Sequence, residues 1–125
     1  MVNLMSKVTP GLTAKEVAEL HYKLLEENNQ AEWLKTLETS LRSGINIYGS
    51  SAYFWWKTGR ETVDKMKNTY KFKEERTKYH SETNERFFFH RLTKDGQKSG
   101  FGQVPISVVK DPKDNNEWRV DSASY

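Results

Sequence analysis

The sequence predicts an α+β fold in which three helical segments precede a four-stranded antiparallel meander. Three observations carry this. Apolar residues recur at helical spacing through the first half. β-prone stretches separated by turn residues fill the second half. An Asp95-Gly96 pair, a strong two-residue hairpin signal, sits between two of those stretches. Helices grouped ahead of strands imply helices packed on one face of the sheet.

The first helix opens at Leu12-Thr13-Ala14-Lys15-Glu16-Val17. Thr13 and Glu16 are spaced for a capping box, with Leu12 and Val17 as its hydrophobic staple. Val17, Leu20, His21, Leu24 and Leu25 form its apolar face. Asn28 and Asn29 end the run, and Asn29 with Glu32 starts a second helix. Trp33, Leu34, Leu37 and Leu41 are that helix's apolar face, and Arg42 and Gly44 stop it. Residues 45–50 read as a loop or a short extended piece. A third helical region covers about residues 51–69, with Trp56, Val63, Met66 and Tyr70 on one side. Gly59 interrupts it, as a kink or as a split before a fresh cap at Thr58.

Residues 70–80 read as the first strand, 85–94 as the second, 97–110 as the third and 117–124 as the last. Pro105 inside the third strand requires an edge or a bulge. A two-residue hairpin loop pairs Lys94 with Gln97, hence Phe87 with Val104, Phe88 with Gln103, Phe89 with Gly102 and His90 with Phe101. Phe87, Phe89, Val104, Ile106 and Val108 then share the apolar face, joined by Trp118 and Val120. Phe88, His90 and Phe101 share the other, with Leu92 beyond them.

Composition limits the function classes. The 125 residues suit one domain spanning the whole chain, with residues 1–11 as a flexible lead. There is no cysteine, so disulfides, thiolate metal sites and a cysteine nucleophile are excluded. Mean hydropathy is low at -0.88. The 4 Trp, 6 Tyr and 6 Phe nevertheless argue for a packed core, because disordered chains are poor in aromatics. No run approaches a membrane span. No signal peptide is visible, which makes the cytoplasm the default location.

Residues 57–98 hold 12 Lys/Arg against 7 Asp/Glu, whereas each flank stands at one net negative charge. This basic block reads as a solvated strand face and is too mild to indicate nucleic-acid binding. The three histidines lie far apart, so no metal site is expected, and no cofactor motif appears. The glycines near residue 100 belong to a hairpin rather than a phosphate loop, and no G-x-S-x-G elbow occurs.

The segment LTAKEVAELHYKLLEENNQAEWLKTL resembles the first helix pair of the nuclear transport factor 2-like superfamily. The closing NNEWRVDSASY is similar to that superfamily's final strand. The resemblance runs from about Leu12 to Tyr125 and implies a cystatin-like cone, a curved sheet wrapped on helices around a pocket. It includes ketosteroid isomerases, polyketide cyclases, dehydratases and transport adaptors, so the fold does not choose the activity.

Within such a cone His21 points inward, either as a general base or proton relay or as a hydrogen-bonded core histidine. Tyr22 loosely matches the tyrosine with which ketosteroid isomerases stabilise an enolate oxygen, and Glu85 is the nearest candidate carboxylate. The constellation His21, Tyr22 and Glu85 is incomplete for that chemistry. Trp55 and Trp56, with Tyr48, Tyr53 and Phe54, either line a pocket or plug the cone. The expected pocket lining is His21, Tyr22, Trp33, Trp55, Trp56, Phe87, Phe89 and Trp118. The expected function is a non-enzymatic domain that binds a small molecule or a protein. The rival reading is a proton-transfer enzyme. A homodimer is expected through Phe88, His90 and Phe101, because a solvent-facing sheet surface otherwise alternates to polar residues.

Overall fold

A computed structural model describes residues 6–125, and of residues 99–101 the backbone only. The fold is α+β: four α-helices, then a four-stranded antiparallel sheet in the order of the sequence. The helices are α1 (Ala14–Glu26), α2 (Gln30–Lys35), α3 (Thr39–Arg42) and α4 (Ser51–Asp64). The strands are β1 (Thr69–Glu75), β2 (Asn84–Leu92), β3 (Lys98–Asp111) and β4 (Glu117–Ala123).

The start of α1 forms as its residues dictate. The Glu16 N–H donates to Thr13 Oγ1 at 3.2 Å, and the Thr13 N–H donates to Glu16 Oε1 at 2.9 Å. Val17 is fully buried and Leu12 packs beside the core. Thr13→Ala is expected to lower the unfolding free energy by about 1 kcal/mol, read as a shift in denaturant midpoint at constant slope. At the other end Asn28 adopts a left-handed backbone, φ 59°, and Asn29 caps α2 by accepting from the Glu32 N–H. Ahead of α1, the Val8 N–H donates to Glu32 and the Gly11 N–H to Glu117. Residues 1–5, part of the expected flexible lead, lie outside the described residues.

The second helical stretch is not one helix. It breaks at Thr36–Glu38, where the chain pairs with β4 instead of with itself. The Val120 N–H donates to Thr36 O at 2.6 Å and the Glu38 N–H to Val120 O at 3.0 Å, a parallel bridge centred on Leu37 and Val120. Asp111, at the end of β3, then caps α3 by accepting from both the N–H and the hydroxyl of Thr39. The third region is a single helix, α4, ending at Asp64. Gly59 does not split it. A Cβ there would lie 2.8 Å from both methyl carbons of Leu25, so the glycine lets α4 approach α1. Met66 falls beyond the helix end and is exposed, while Tyr70 belongs to β1.

The first strand is shorter than the sequence suggests, because Thr77–Tyr79 coil into a 3-10 turn after Glu75. The hairpin between β2 and β3 also differs from expectation. The Thr93 N–H donates to Gln97 O at 2.7 Å and the Gly96 N–H to Thr93 O at 2.9 Å, which closes a three-residue loop with Gly96 at φ 78°. A second irregularity lies between the His90 and Leu92 pairings, opposite Gly102 at φ 77°. Together they place Phe87 opposite Ile106, Phe88 opposite Pro105, Phe89 opposite Val104 and His90 opposite Gln103. This is a slip of two residues from the expected register. An even slip leaves every side chain on its expected face. Phe87, Phe89, Val104, Ile106 and Val108 are accordingly buried against the helices, with Val120 beside them and Trp118 at the margin.

Pro105 lies in an interior strand, yet at the point where the ladder to β4 ends. The Ser124 N–H donates to Pro105 O, and the reciprocal bond would need an N–H that proline lacks. The Tyr22 hydroxyl donates to Ser124 O instead, at 3.0 Å. A bulge between Ser107 and Val108 in the β3–β4 pairing follows two residues on.

Candidate functional site

The space between helices and sheet is where the sequence places a site. His21 projects from α1 into it and is fully buried. Its Nε2 lies 2.6 Å from the Tyr125 hydroxyl and its Nδ1 2.8 Å from Thr36 Oγ1. The Thr36 hydroxyl proton is committed to Trp33 O at 2.6 Å. Thr36 Oγ1 must therefore accept from His21 Nδ1–H, and Nε2 must accept from the Tyr125 O–H. The proton positions form one chain from Tyr125 through His21 and Thr36 to Trp33. Burial pushes the imidazole pKa down to about 3, so the ring is neutral at any physiological pH.

The hydroxyls of the interior are spent in the same way, whereas the Trp33 indole N–H is buried without a hydrogen-bond partner among the described residues. The Tyr22 hydroxyl is taken by Ser124 O. The Thr62 hydroxyl donates to Gly59 O, so the Tyr70 hydroxyl, 2.6 Å away, donates to Thr62. Burial, then the neighbouring Tyr70, pushes the Tyr22 phenol well above its ordinary range. Burial does the same to Tyr125, with Tyr22 and Tyr70 adding to it.

Aromatic rings occupy the rest. Tyr22 stacks on Tyr70 with centroids 4.6 Å apart and meets Phe89 at 4.7 Å. Trp33 meets His21 at 5.2 Å and Trp56 at 5.0 Å. Of the residues expected to line a pocket, His21, Tyr22, Trp33, Phe87 and Phe89 are buried at 0 to 2 % exposure. Trp55, Trp56 and Trp118 are partly buried at the core's margin. The Lys110 ammonium sits over the Trp118 ring.

Glu85 is not brought to His21 or Tyr22. It stands at the start of β2 and faces His80, with Nδ1 and Oε1 3.6 Å apart. No pair of candidate acid and base therefore confronts an open space between the layers. Among the described residues no cluster of His, Asp and Glu is arranged to hold a metal ion. Among the same residues no helix is long and apolar enough to cross a membrane.

Two surface features stand out. The first is the outer face of the sheet. Phe88 is half-buried there, with the Arg76 guanidinium 4.2 Å and the Arg86 guanidinium 5.8 Å from its ring centroid. Tyr79, half-exposed, lies under Arg86 and Lys78. Three buried polar atoms on this face have no hydrogen-bond partner among the described residues: Nε of Arg76, Nε of Arg86 and Oδ1 of Asp121. Burial holds the Asp121 carboxyl above its ordinary range, against the pull of backbone N–H groups and Arg86. His90 is half-buried on the same face, and Leu92 pairs with Lys98. The side chain of Phe101 lies outside the described residues.

The second feature is a cleft of about 300 Å³ between α1 and β1. Glu19, Lys23 and Glu26 form its helical wall, and Tyr70, Phe72 and Phe89 its aromatic side. Burial raises the Glu26 carboxyl to about 7, opposed by a hydrogen bond from the Tyr70 N–H and reinforced by the charge of Glu27. Glu26 escapes a sequence reading because it is one more charged residue next to Leu25. Its only signal is its position at the edge of the apolar face, in the last turn of the helix.

No protein-family model matches this chain, and no curated protein matches its sequence.

Proposed function

We propose that this chain is a non-enzymatic binding domain, similar in layout to the nuclear transport factor 2-like proteins, that works as a homodimer through the outer face of its sheet. The observation that carries this reading is the contrast between the two sides of the sheet. On the inner side the His21, Tyr22 and Tyr70 polar groups are satisfied by Tyr125, Thr36, Ser124 and Thr62. Proton-transfer catalysis would need polar groups aimed at substrate across a dry space, and these are aimed at one another. On the outer side, Phe88 and Tyr79 remain accessible and three polar atoms lack partners among the described residues. Buried polar groups without partners are rare in finished structures, and among the described residues all but the Trp33 indole nitrogen of the core lie on this face, which supports a docking role for it.

A two-fold axis suits the face because it carries both signs. Arg76 and Arg86 flank Phe88, and Glu74 and Asp121 lie beside them. A second copy in the opposite direction offers carboxylates to guanidinium groups. Light scattering at micromolar concentration is expected to give twice the chain mass. Phe88→Glu is expected to give a folded monomer whose denaturant midpoint, unlike the parent's, does not rise with protein concentration. A parent protein that stays monomeric across the concentration range, with Phe88→Glu indistinguishable from it, refutes the homodimer.

A further inference from the structure

We infer that the cleft between α1 and β1 is a binding site for a small organic ammonium ion, its charged head on Glu26 and its apolar body against Phe72. The inference rests on the reading of the chain as a binding domain but not on the homodimer, whose face is the opposite side of the sheet.

The chemistry comes from what the cleft lacks as much as from what lines it. Glu26 is half-buried, and among the described residues it has no ion-pair partner. Its one close donor is the neutral Tyr70 N–H. A buried carboxylate is stabilised most by a cation placed against it. Beside it are aromatic rings, and ring faces attract cations. Phe72 already does so, since the Lys15 ammonium lies 4.2 Å from its centroid. Carboxylate and ring faces together are the recognition chemistry of an amine with an apolar body. The volume of about 300 Å³ suits a molecule of the size of a single substituted ring.

The surrounding charges narrow the class. From α1 the cleft is faced by Glu19 and Lys23, with Lys15 over the Phe72 ring and Glu27 next to Glu26 in sequence. From β1 it is faced by Tyr70 and Lys71. From α4 the Arg60 guanidinium reaches the carbonyls of Leu25 and Glu26, behind the carboxylate. Lys23 and Lys71 offset Glu19 and Glu27, which leaves the single charge of Glu26 to the ligand and favours monoamines over polyamines.

The probe is phenethylammonium, titrated into the full chain and followed by amide chemical shifts, with 2-phenylethanol, phenylacetate and spermidine as comparisons. Saturable shifts are expected around Glu26, Tyr70 and Phe72 with phenethylammonium alone. The ammonium binds the ionised carboxyl, and that form becomes dominant as pH rises through 7. Affinity is therefore expected to be about tenfold higher at pH 8 than at pH 6. Glu26→Gln is expected to weaken binding and to abolish that pH dependence, and Phe72→Leu to weaken binding while keeping it. The thermal midpoint of each variant establishes that it is folded. Equal affinity for 2-phenylethanol, a preference for phenylacetate, no saturable shift at tens of millimolar, or a Glu26→Gln variant that keeps the pH dependence each overturns the site. The mass in the same samples reports the homodimer separately, so either idea can fail without the other.

Discussion

Acidification from pH 7 to pH 4 is expected to cost the folded protein about 3 kcal/mol through His21 alone. The sign follows from the two states. In the unfolded chain the imidazole takes a proton near pH 6.5, whereas in the folded chain it resists until about 3. The stabilisation conferred by the neutral ring is complete above pH 6.5. It falls as pH drops, because the unfolded state binds a proton that the folded state refuses. Glu26 acts in the opposite sense: its raised pKa makes the folded state bind a proton first as pH falls through 7. The comparison that isolates His21 is therefore His21→Gln, which keeps polar atoms for Tyr125 and Thr36 but cannot titrate. Stability measured by denaturant between pH 7 and 4 is expected to fall more steeply in the parent than in the variant. Parallel curves, or an imidazole NMR titration near 6.5 in the folded protein, would remove His21 from the buried network.

A loss of about 3 kcal/mol is also expected for Asp114→Ala. One oxygen of Asp114 accepts from Arg119 Nε at 2.7 Å and from Arg42 Nη2 at 2.5 Å. The Arg119 side chain is only 6 % exposed, so its charge depends on that oxygen. Burial alone would raise the Asp114 pKa, but the hydrogen bonds and charges of Arg119 and Arg42 outweigh it and hold the carboxyl below its ordinary range. Removing the carboxylate leaves a guanidinium in the interior with the Trp118 carbonyl as its remaining acceptor. Asp114→Asn keeps an acceptor and is expected to lose less. The double change Asp114→Ala with Arg119→Met removes the stranded charge and is expected to recover part of the loss. An Asp114→Ala midpoint equal to the parent's would show that the arginines are solvated without it.

What could be read in the sequence was whatever is decided locally. The capping box at Thr13 and Glu16, the asparagine pair between helices and the alternation of Phe87 and Phe89 depend on residues a few positions apart. All of them form. The break at Thr36–Glu38 was not readable, because its cause is Val120, more than eighty residues away. Nothing near Leu37 announces it; the helical spacing simply continues. Gly59 was misread for the same reason: its role is set by Leu25 on another helix. The hairpin register missed by two residues because the three-residue loop shifts the pairing by one, and residues 99–102, ending at the left-handed Gly102, stand opposite Arg91 alone and shift it back by three. His21 was identifiable from its place on the apolar face of α1, but its partners Thr36 and Tyr125 were not. The Glu26 cleft was invisible, since a carboxylate at a helix end takes its character from the strand beside it.

The bond between His21 and Tyr125 joins positions 104 residues apart. Tyr125 also packs against Tyr22, and its ring lies 3.2 Å from where a Cβ at Gly59 would stand. The buried face of α1 thus contacts a residue just past β4. During synthesis α1 emerges before β4, and its histidine cannot be sealed until β4 has joined the sheet. Loop closure on that scale is slow, and apolar surface waiting for it is open to wrong partners. The Thr13 cap, which needs only Glu16, lets α1 persist while it waits.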